Sequence, residues 1–114
     1  MKDCLFCKIV NREIDSDIVY EDEYVLVFKD INPVAPVHLL IIPRKHVSSI
    51  MEIDKLKSSE INKIMEIIKN IAMDMNLDEK GFRVVTNIGP GAGQSVDHLH
   101  FHILGQRKFT WPPG

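Results

Sequence analysis

Three histidines at alternate positions, His98, His100 and His102, are the side chains of this sequence best suited to chemistry. Apolar residues alternate with them, and this period-2 pattern is typical of a half-buried β-strand. In a strand the three imidazoles share one face at intervals of about 7 Å, twice the rise of ~3.3 Å per residue. Imidazole titrates near neutral pH and can be a nucleophile, an acid, a base or a metal ligand. The segment therefore predicts a strand that presents three reactive side chains together.

A glycine-rich stretch, residues 88–95, comes directly before the histidines. Glycine lets the backbone approach a ligand closely and point N–H groups at an anion. The stretch has no P-loop lysine and does not begin a predicted helix, so neither dinucleotide fingerprint applies, and alone it fits a plain hairpin loop equally well. Between Asn87 and the triple histidine it indicates a phosphate held in front of His100. That imidazole could attack phosphorus and form a phosphoryl-histidine that water then cleaves.

Metal binding is the competing interpretation of the same residue types. Cys4-x-x-Cys7 fits a redox motif, half of a zinc site or two buried thiols, although a thioredoxin-like role would need a βαβ context that is absent. His46 and His98 could complete a tetrahedral Cys₂His₂ set. His-x-His on a strand is also a common ligand pair, so the histidine segment itself remains an alternative metal site.

Hydrophobic periodicity predicts the elements that must position these residues. A short helical turn at 4–10 precedes strands at 18–20, 25–28, 38–42 and 82–87, with a proline-containing loop at 30–36. His38 lies in the buried strand 38–42, where spacing favours a core histidine over a partner that orients His98. These strands, the histidine strand and one long helix predict an α+β domain around a mainly antiparallel sheet of about five strands.

The long helix has the clearest pattern in the chain. It begins near Ser58, with Ser58 or Ser59 as N-cap, and ends within residues 76–81. Period 3.6 predicts an apolar face made of Ile61, Ile64, Met65, Ile68, Ile71, Ala72 and Met75.

Length and composition set further limits on the protein class. The 114 residues predict one domain over 1–114, and 45% apolar with 26% charged residues is typical of a soluble globular protein. A net charge of −2 does not favour nucleic acid as a partner. No apolar run approaches the ~20 residues of a membrane span, and the start of the chain lacks the pattern of a signal peptide. We therefore expect a cytoplasmic protein without membrane contact, in a compartment that keeps thiols reduced.

These residues together resemble the histidine-triad (HIT) superfamily, whose signature is His-x-His-x-His followed by two apolar residues, as at 98–104. Five further motifs extend the resemblance over nearly the whole chain: Cys-x-x-Cys at 4–7, Asp-Ile-Asn-Pro-x-Ala-Pro-x-His at 30–38, Ile-Pro-x-x-His at 42–46, Gly-Gln-Ser-Val at 93–96 and Trp-Pro-Pro-Gly at 111–114. The short length and the closing motif resemble the Hint branch, the nucleoside phosphoramidases, in its zinc-binding form.

The resemblance implies a hydrolase that cleaves the P–N bond of purine nucleoside 5′-phosphoramidates, such as AMP linked to an amine, through a covalent nucleotidyl-histidine. His100 would be the nucleophile, and His102 would hold the phosphate oxygens and the leaving group. His98 and His38 would form a supporting hydrogen-bond relay, a role for His38 that replaces the core interpretation. Histidine rather than glutamine at position 102 argues against the nucleotidyltransferase branch, while Asp97 leaves the leaving-group preference open.

The resemblance also implies binding residues, a cofactor and a partner. Asp30 would bind the ribose hydroxyls, and the phosphate would contact Asn87, Gly93, Gln94 and Ser95. The purine pocket would be lined by Leu5, Phe6, Ile9, Phe28, Ile31 and Leu40. A structural Zn²⁺ would be held by Cys4, Cys7, His46 and His98. Two copies would form a homodimer with a continuous ten-stranded sheet.

Three other functions remain open at the level of sequence. The first is hydrolysis of dinucleoside polyphosphates by the same histidines. The second is a nucleotide-binding interaction protein whose hydrolase activity is vestigial. The third is a metal-binding module in which the three histidines themselves hold Zn²⁺.

Overall fold

The side chains of the central strands point alternately to the two faces of the sheet, and both faces are apolar there. The computed structural model describes residues 3–114, and in it five strands form one antiparallel sheet in the order β1-β2-β3-β5-β4. The strands are β1 Ile18–Glu21, β2 Val25–Lys29, β3 Val37–Pro43, β4 Arg83–Val85 and β5 Phe101–Gly105. The predicted α+β class, the five strands and their antiparallel pairing are confirmed.

Helices cover the two faces unequally. The long helix α2, Ser58–Asp74, packs against the side chains of odd-numbered sheet residues such as Val27, Leu39 and Ile103. The short helix α1, Leu5–Val10, packs through Phe6 on the opposite face, against even-numbered sheet residues. A one-turn helix α3, Leu77–Lys80, and 3₁₀ turns at Ile50–Lys55 and Pro90–Ala92 complete the structure. Because successive strand residues point to opposite faces, the even-numbered histidines lie on the α1 side.

The predicted strand over the three histidines is shorter than the pattern indicated. Strand β5 begins only at Phe101, so His98 and His100 lie in the segment that leads into it. In the β3–β5 register Ile41 is opposite Phe101, which places Leu99 opposite Pro43. Proline has no N–H to donate, and the ladder stops there. The Leu99 N–H is instead donated to the Val47 carbonyl at 2.7 Å.

Two details of the helix prediction are wrong. The N-cap is Lys57 rather than Ser58 or Ser59, and its N–H is donated to the Glu60 carboxylate at 2.8 Å. Met65, predicted to be in the core, is 46% exposed, whereas Ile67 is buried. The buried stripe is centred on residues 64, 67, 68 and 71, so Met65 lies at its edge. The chain leaves α2 at Asn76, whose φ of 56° is left-handed, and α3 follows directly.

The central strand β3, which lies next to the histidine segment, is completely buried. Every residue of the central strand β3 is buried, including His38, as predicted for a strand covered on both faces. The neighbouring strand β5 therefore pairs with a strand that is packed on both faces.

Within residues 3–114 no helix has the length and apolar character needed to cross a membrane.

Truncating the core side of α2 tests this packing. Ile64 is 1% exposed, so Ile64→Ala should lower the free energy of unfolding by about 2–5 kcal/mol through lost burial and a residual cavity. Met51 is 76% exposed, and Met51→Ala should change stability by less than about 0.5 kcal/mol. Urea unfolding of both variants measures the difference, and equal losses would contradict the assignment of the core.

Candidate functional site

The three histidines lie on the α1 side of the sheet and differ in burial. His98 is fully buried, His100 is 3% exposed and His102, inside β5, is half-buried. The rings of His100 and His102 lie 5.2 Å apart. The structure thus brings the predicted residues together, but in a nearly closed environment rather than on an open strand face.

Hydrogen bonding determines which nitrogen of His100 carries the proton. Its Nδ1 lies 2.7 Å from the main-chain oxygen of His98. A carbonyl oxygen only accepts hydrogen bonds, so Nδ1 must be the donor and, in the neutral ring, Nε2 keeps its lone pair. The Phe6 ring packs against this imidazole at 5.0 Å and 88°, an edge-to-face contact. In its neutral form the His100 ring therefore has its lone pair on Nε2, the atom that could act as a nucleophile.

A second series of hydrogen bonds determines which ring nitrogen of His102 carries the proton. The Val34 N–H is donated to Nδ1 of His38 at 3.1 Å, which leaves the His38 proton on Nε2. That Nε2 lies 2.9 Å from Nδ1 of His102 and 3.2 Å from the Asp30 carboxylate. Nδ1 of His102 is therefore the acceptor, and the neutral ring carries its proton on Nε2. His102 can present an N–H donor next to the lone pair of His100.

The partner of His38 differs from the expected one. The sequence predicts a relay of His38 with His98, but β3 and β5 place His38 beside His102. His98 acts on His100 through its main-chain carbonyl, while its ring points to the two cysteines. The register explains this, because Leu40 is opposite His102 and His38 is two residues further along the same face of β3.

Burial keeps these imidazoles neutral. It lowers the pKa of His102 to about 4, helped by the nearby His100 and His38 and opposed by the Asp30 carboxylate. Burial lowers the pKa of His98 to about 4 as well, and that of His38 falls for the same reason against the attraction of Asp30. Neutral rings are what the proton positions derived from the hydrogen bonds require.

Cys4, Cys7, His46 and His98 converge on one point beside this site. Nδ1 of His98 lies 3.4 Å from Sγ of Cys4, 3.6 Å from Sγ of Cys7 and 3.2 Å from Nδ1 of His46. Sγ of Cys7 lies 3.3 Å from Nδ1 of His46. Ideal tetrahedral zinc bonds would separate two nitrogens by about 3.3 Å and a nitrogen from a sulfur by about 3.6 Å.

The chemistry of this donor set also fits a metal ion. Nε2 of His98 lies 2.8 Å from the Pro43 carbonyl and must donate to it, which leaves Nδ1 as a free ligand atom. Cys4 and Cys7 are free thiols, and burial raises the pKa of Cys7 to about 11. A bound cation would supply the positive charge that stabilises both thiolates. These residues could hold Zn²⁺.

A largely apolar cavity of about 260 Å³ opens beside Phe6. All six residues predicted for the purine pocket line it, together with Asp30 and Ser95: Leu5, Phe6, Ile9, Phe28, Ile31 and Leu40. Sequence reasoning missed Ile14, Asp15, Ser16, Lys29, Asn32 and Val96, which also line it. They come from loops and a strand end that carry no periodic signal, although Asn32 and Val96 lie within the motifs at 30–38 and 93–96.

The glycine-rich loop is held mainly by its own contacts. The Gln94 side chain accepts from the Gly89 N–H at 2.8 Å and donates to the Ser48 carbonyl at 2.7 Å, so it braces the loop. The Gly93 N–H is donated to the Pro90 carbonyl at 3.1 Å, and the Asn87 amide to the Ala92 carbonyl at 2.8 Å. Of the four residues predicted to contact a phosphate, Gly93 and Ser95 are exposed, and of the four only Ser95 lines the cavity.

Comparison with known proteins supports the same family. The HIT domain model matches residues 11–109. The chain is 42% identical to a 14 kDa zinc-binding protein of Brassica juncea over 98% of this chain and all of that protein. A crystal structure of a HIT family hydrolase from Legionella pneumophila superposes with a TM-score of 0.94, at 46% identity, over 98% of this chain and 100% of the other. A HIT family hydrolase from Clostridium thermocellum gives 0.91 at 45% identity over 96% of both chains.

The lowered pKa of His102 predicts a pH dependence of stability. Because its pKa is below the ordinary 6.5 in the folded state, the unfolded chain binds a proton that the folded chain does not. The stabilisation is present above pH 6.5 and is lost as the pH falls toward 4. Urea unfolding between pH 7 and pH 4.5 should show a shallower loss in His102→Gln than in the wild type.

The comparison of His102→Gln with the wild type removes the contribution of other titrating groups to the pH dependence of stability, because both proteins keep His98, Asp30 and the surface carboxylates. Histidine NMR would check the assignment directly, with His102 still neutral at about pH 5. A His102 ring that titrates at its ordinary value, or identical pH slopes in both proteins, would contradict the derived protonation state.

Proposed function

This chain belongs to the HIT domain family, and from that membership and the geometry of its histidines we propose that it is a nucleotide hydrolase. Its substrates would be purine nucleoside 5′-phosphoramidates, cleaved at the P–N bond to a nucleoside monophosphate and an amine. The observation that carries the proposal is the 2.7 Å hydrogen bond from His100 Nδ1 to the His98 carbonyl, which places the lone pair of a neutral ring on Nε2.

The reaction would consist of two successive nucleophilic displacements at phosphorus. In the first, Nε2 of His100 bonds to the α-phosphorus while the P–N bond breaks, and the amine leaves with that electron pair and the Nε2 proton of His102. In the second, water attacks phosphorus, the bond from His100 Nε2 to phosphorus breaks, and one proton of that water is returned to Nε2 of His102. Before the transfer, the same N–H would donate a hydrogen bond to a phosphoryl oxygen, in a site from which most water is excluded.

The nucleoside would occupy the cavity beside Phe6. Its apolar walls suit either purine, and Asp30 at its edge would accept hydrogen bonds from the ribose hydroxyls. Ser95 lines the cavity and would contact the phosphate with Asn87 and the Gly93 backbone. Gln94 would act by bracing this loop.

Several features favour the zinc-binding Hint branch. His102 stands third in the triad, residues 111–114 are Trp-Pro-Pro-Gly, and the Cys4–Cys7–His46–His98 set has tetrahedral spacing. Zn²⁺ bound there would hold two thiolates and hold the His98 ring in place. Free thiols suit a reducing, cytoplasmic compartment, and residues 1–114 would form one HIT domain.

A homodimer would complete the assembly. Within residues 3–114, β4 pairs on one side with β5 and forms an edge of the sheet. Val84 on that strand and Met65 and Met73 on α2 are exposed apolar side chains. Pairing of these edges and helices in two copies would give the ten-stranded sheet.

Loss of the nucleophile tests the reaction. His100→Ala should lower the rate of adenosine 5′-phosphoramidate hydrolysis by several powers of ten, because the covalent route is removed. Rapid quenching and mass measurement should find AMP attached to the wild type and none on the variant. A variant that keeps a tenth of the wild-type rate would exclude covalent catalysis by His100.

The choice of substrate separates the alternatives. Faster cleavage of diadenosine polyphosphates than of the phosphoramidate would favour the related hydrolase. AMP binding without turnover of either compound would indicate an interaction protein with vestigial activity.

Metal analysis tests the zinc assignment. The Cys4→Ser, Cys7→Ser double variant should lose about one equivalent of zinc per chain, because half of the ligand set is removed. His102→Gln is the matched control and should retain its zinc. The reverse result would place the metal on the triad instead.

A further inference from the structure

Helix α1 stands apart from the rest of the fold. It has six residues, and the HIT domain model begins only at residue 11, directly after it. A helix this short is not stable alone in water, so contacts with the rest of the molecule must determine its position.

The inward side of α1 forms a wall of the candidate site. Leu5, Phe6 and Ile9 line the cavity in which the nucleoside would lie. The Phe6 ring contacts the rings of His100 at 5.0 Å and Phe28 at 5.4 Å. Displacement of α1 would therefore remove one side of the cavity and the packing against the proposed nucleophile.

The other anchor of α1 is the cysteine pair. Cys4 is the N-cap residue, with Sγ accepting from the Cys7 N–H at 3.3 Å, and Cys7 lies in the first turn. Both sulfurs face Nδ1 of His98, and Cys7 also faces His46. His46 and His98 belong to the segments that follow β3 and precede β5. The four ligand atoms therefore join α1 to the ends of the two central strands.

We propose that the Cys4–Cys7–His46–His98 set, here called the clasp, holds α1 in position when a metal ion is bound to it. Metal occupancy then controls the affinity for the nucleotide through the position of Phe6. This inference rests on the proposed function and deepens it by giving the metal set a role in substrate binding. Phe6 is a positioning residue in this scheme, because it packs on His100 and shapes the cavity. Without the metal, two neutral thiols and two imidazoles at these distances give only weak attraction, and α1 is held by the burial of Phe6 and Ile9.

The experiment compares zinc-loaded wild type, wild type stripped by a chelator under reducing conditions, and the Cys4→Ser, Cys7→Ser variant. Amide hydrogen exchange follows α1, with α2 and β3 as internal references, and calorimetry measures the dissociation constant of AMP. Zinc removal should speed exchange in α1 at least tenfold and weaken AMP binding at least tenfold, without changing exchange in α2 and β3. Added zinc should restore both properties in the stripped wild type and neither in the double variant.

Two further variants separate positioning from folding. Phe6→Leu should keep its zinc and raise KM for the phosphoramidate more than it lowers kcat. Lys8→Ala, on the same helix but outside both the cavity and the cysteine set, should behave as the wild type.

The possible failures are distinct. If zinc-loaded wild type does not bind AMP, the proposed function itself is wrong. If it binds AMP and zinc removal changes neither α1 exchange nor affinity by more than twofold, only the clasp is wrong. If exchange rises in α2 and β3 as well, the metal supports the whole fold, and the positioning role is excluded.

Discussion

The buried side chain and carbonyl of His98 connect the central sheet, the cysteine set and His100. Its Nε2–H is donated to the Pro43 carbonyl at the end of β3, its Nδ1 faces the two cysteines, and its main-chain oxygen accepts from His100. A buried polar atom without a partner is costly, and in the described part of the chain no buried side-chain nitrogen or oxygen lacks one. Each bond of His98 therefore restricts the next, from the sheet to the cysteine set and to the ring of His100.

Neutral imidazoles give the site a defined direction of hydrogen bonding. The series that starts at the Val34 N–H ends with a proton on Nε2 of His102, and in a neutral His100 ring the bond to the His98 carbonyl leaves Nε2 without one. Burial lowers the pKa of His38 and His102 and so keeps those two rings neutral near pH 7. A lone pair and an N–H donor on adjacent rings are what attack on a phosphoryl group requires.

One face of the sheet carries most of the hydrophobic core, and the other carries the candidate site. On the α2 face, sixteen buried residues form one continuous apolar cluster, which contains no histidine. The α1 face has a smaller cluster of six buried residues, and the histidines, the cavity and the cysteine set lie around it. The α2 face can therefore maintain the fold while the α1 face carries groups whose burial has a free-energy cost.

The sequence by itself determined the class of fold, most of the elements, and the histidines and cysteines of the candidate site. A continuous apolar run and a period-3.6 pattern are local signals, because they depend on which faces of a strand or helix are buried, so β3 and α2 could be predicted from neighbouring residues alone. The HIT motifs also indicated which of five histidines to consider for each role. What local patterns could not provide is the partner of each group across the fold.

Only the tertiary structure decided those partners. The β3–β5 register places His38 beside His102 rather than His98, and the missing N–H of Pro43 ends the ladder before Leu99. Burial of Ile67 instead of Met65 depends on where α2 crosses the sheet, and the role of Gln94 depends on a carbonyl at Ser48, forty-six residues away. These features depend on contacts between residues distant in sequence, which compete for the same space and the same hydrogen bonds. A local sequence pattern carries no information on that competition.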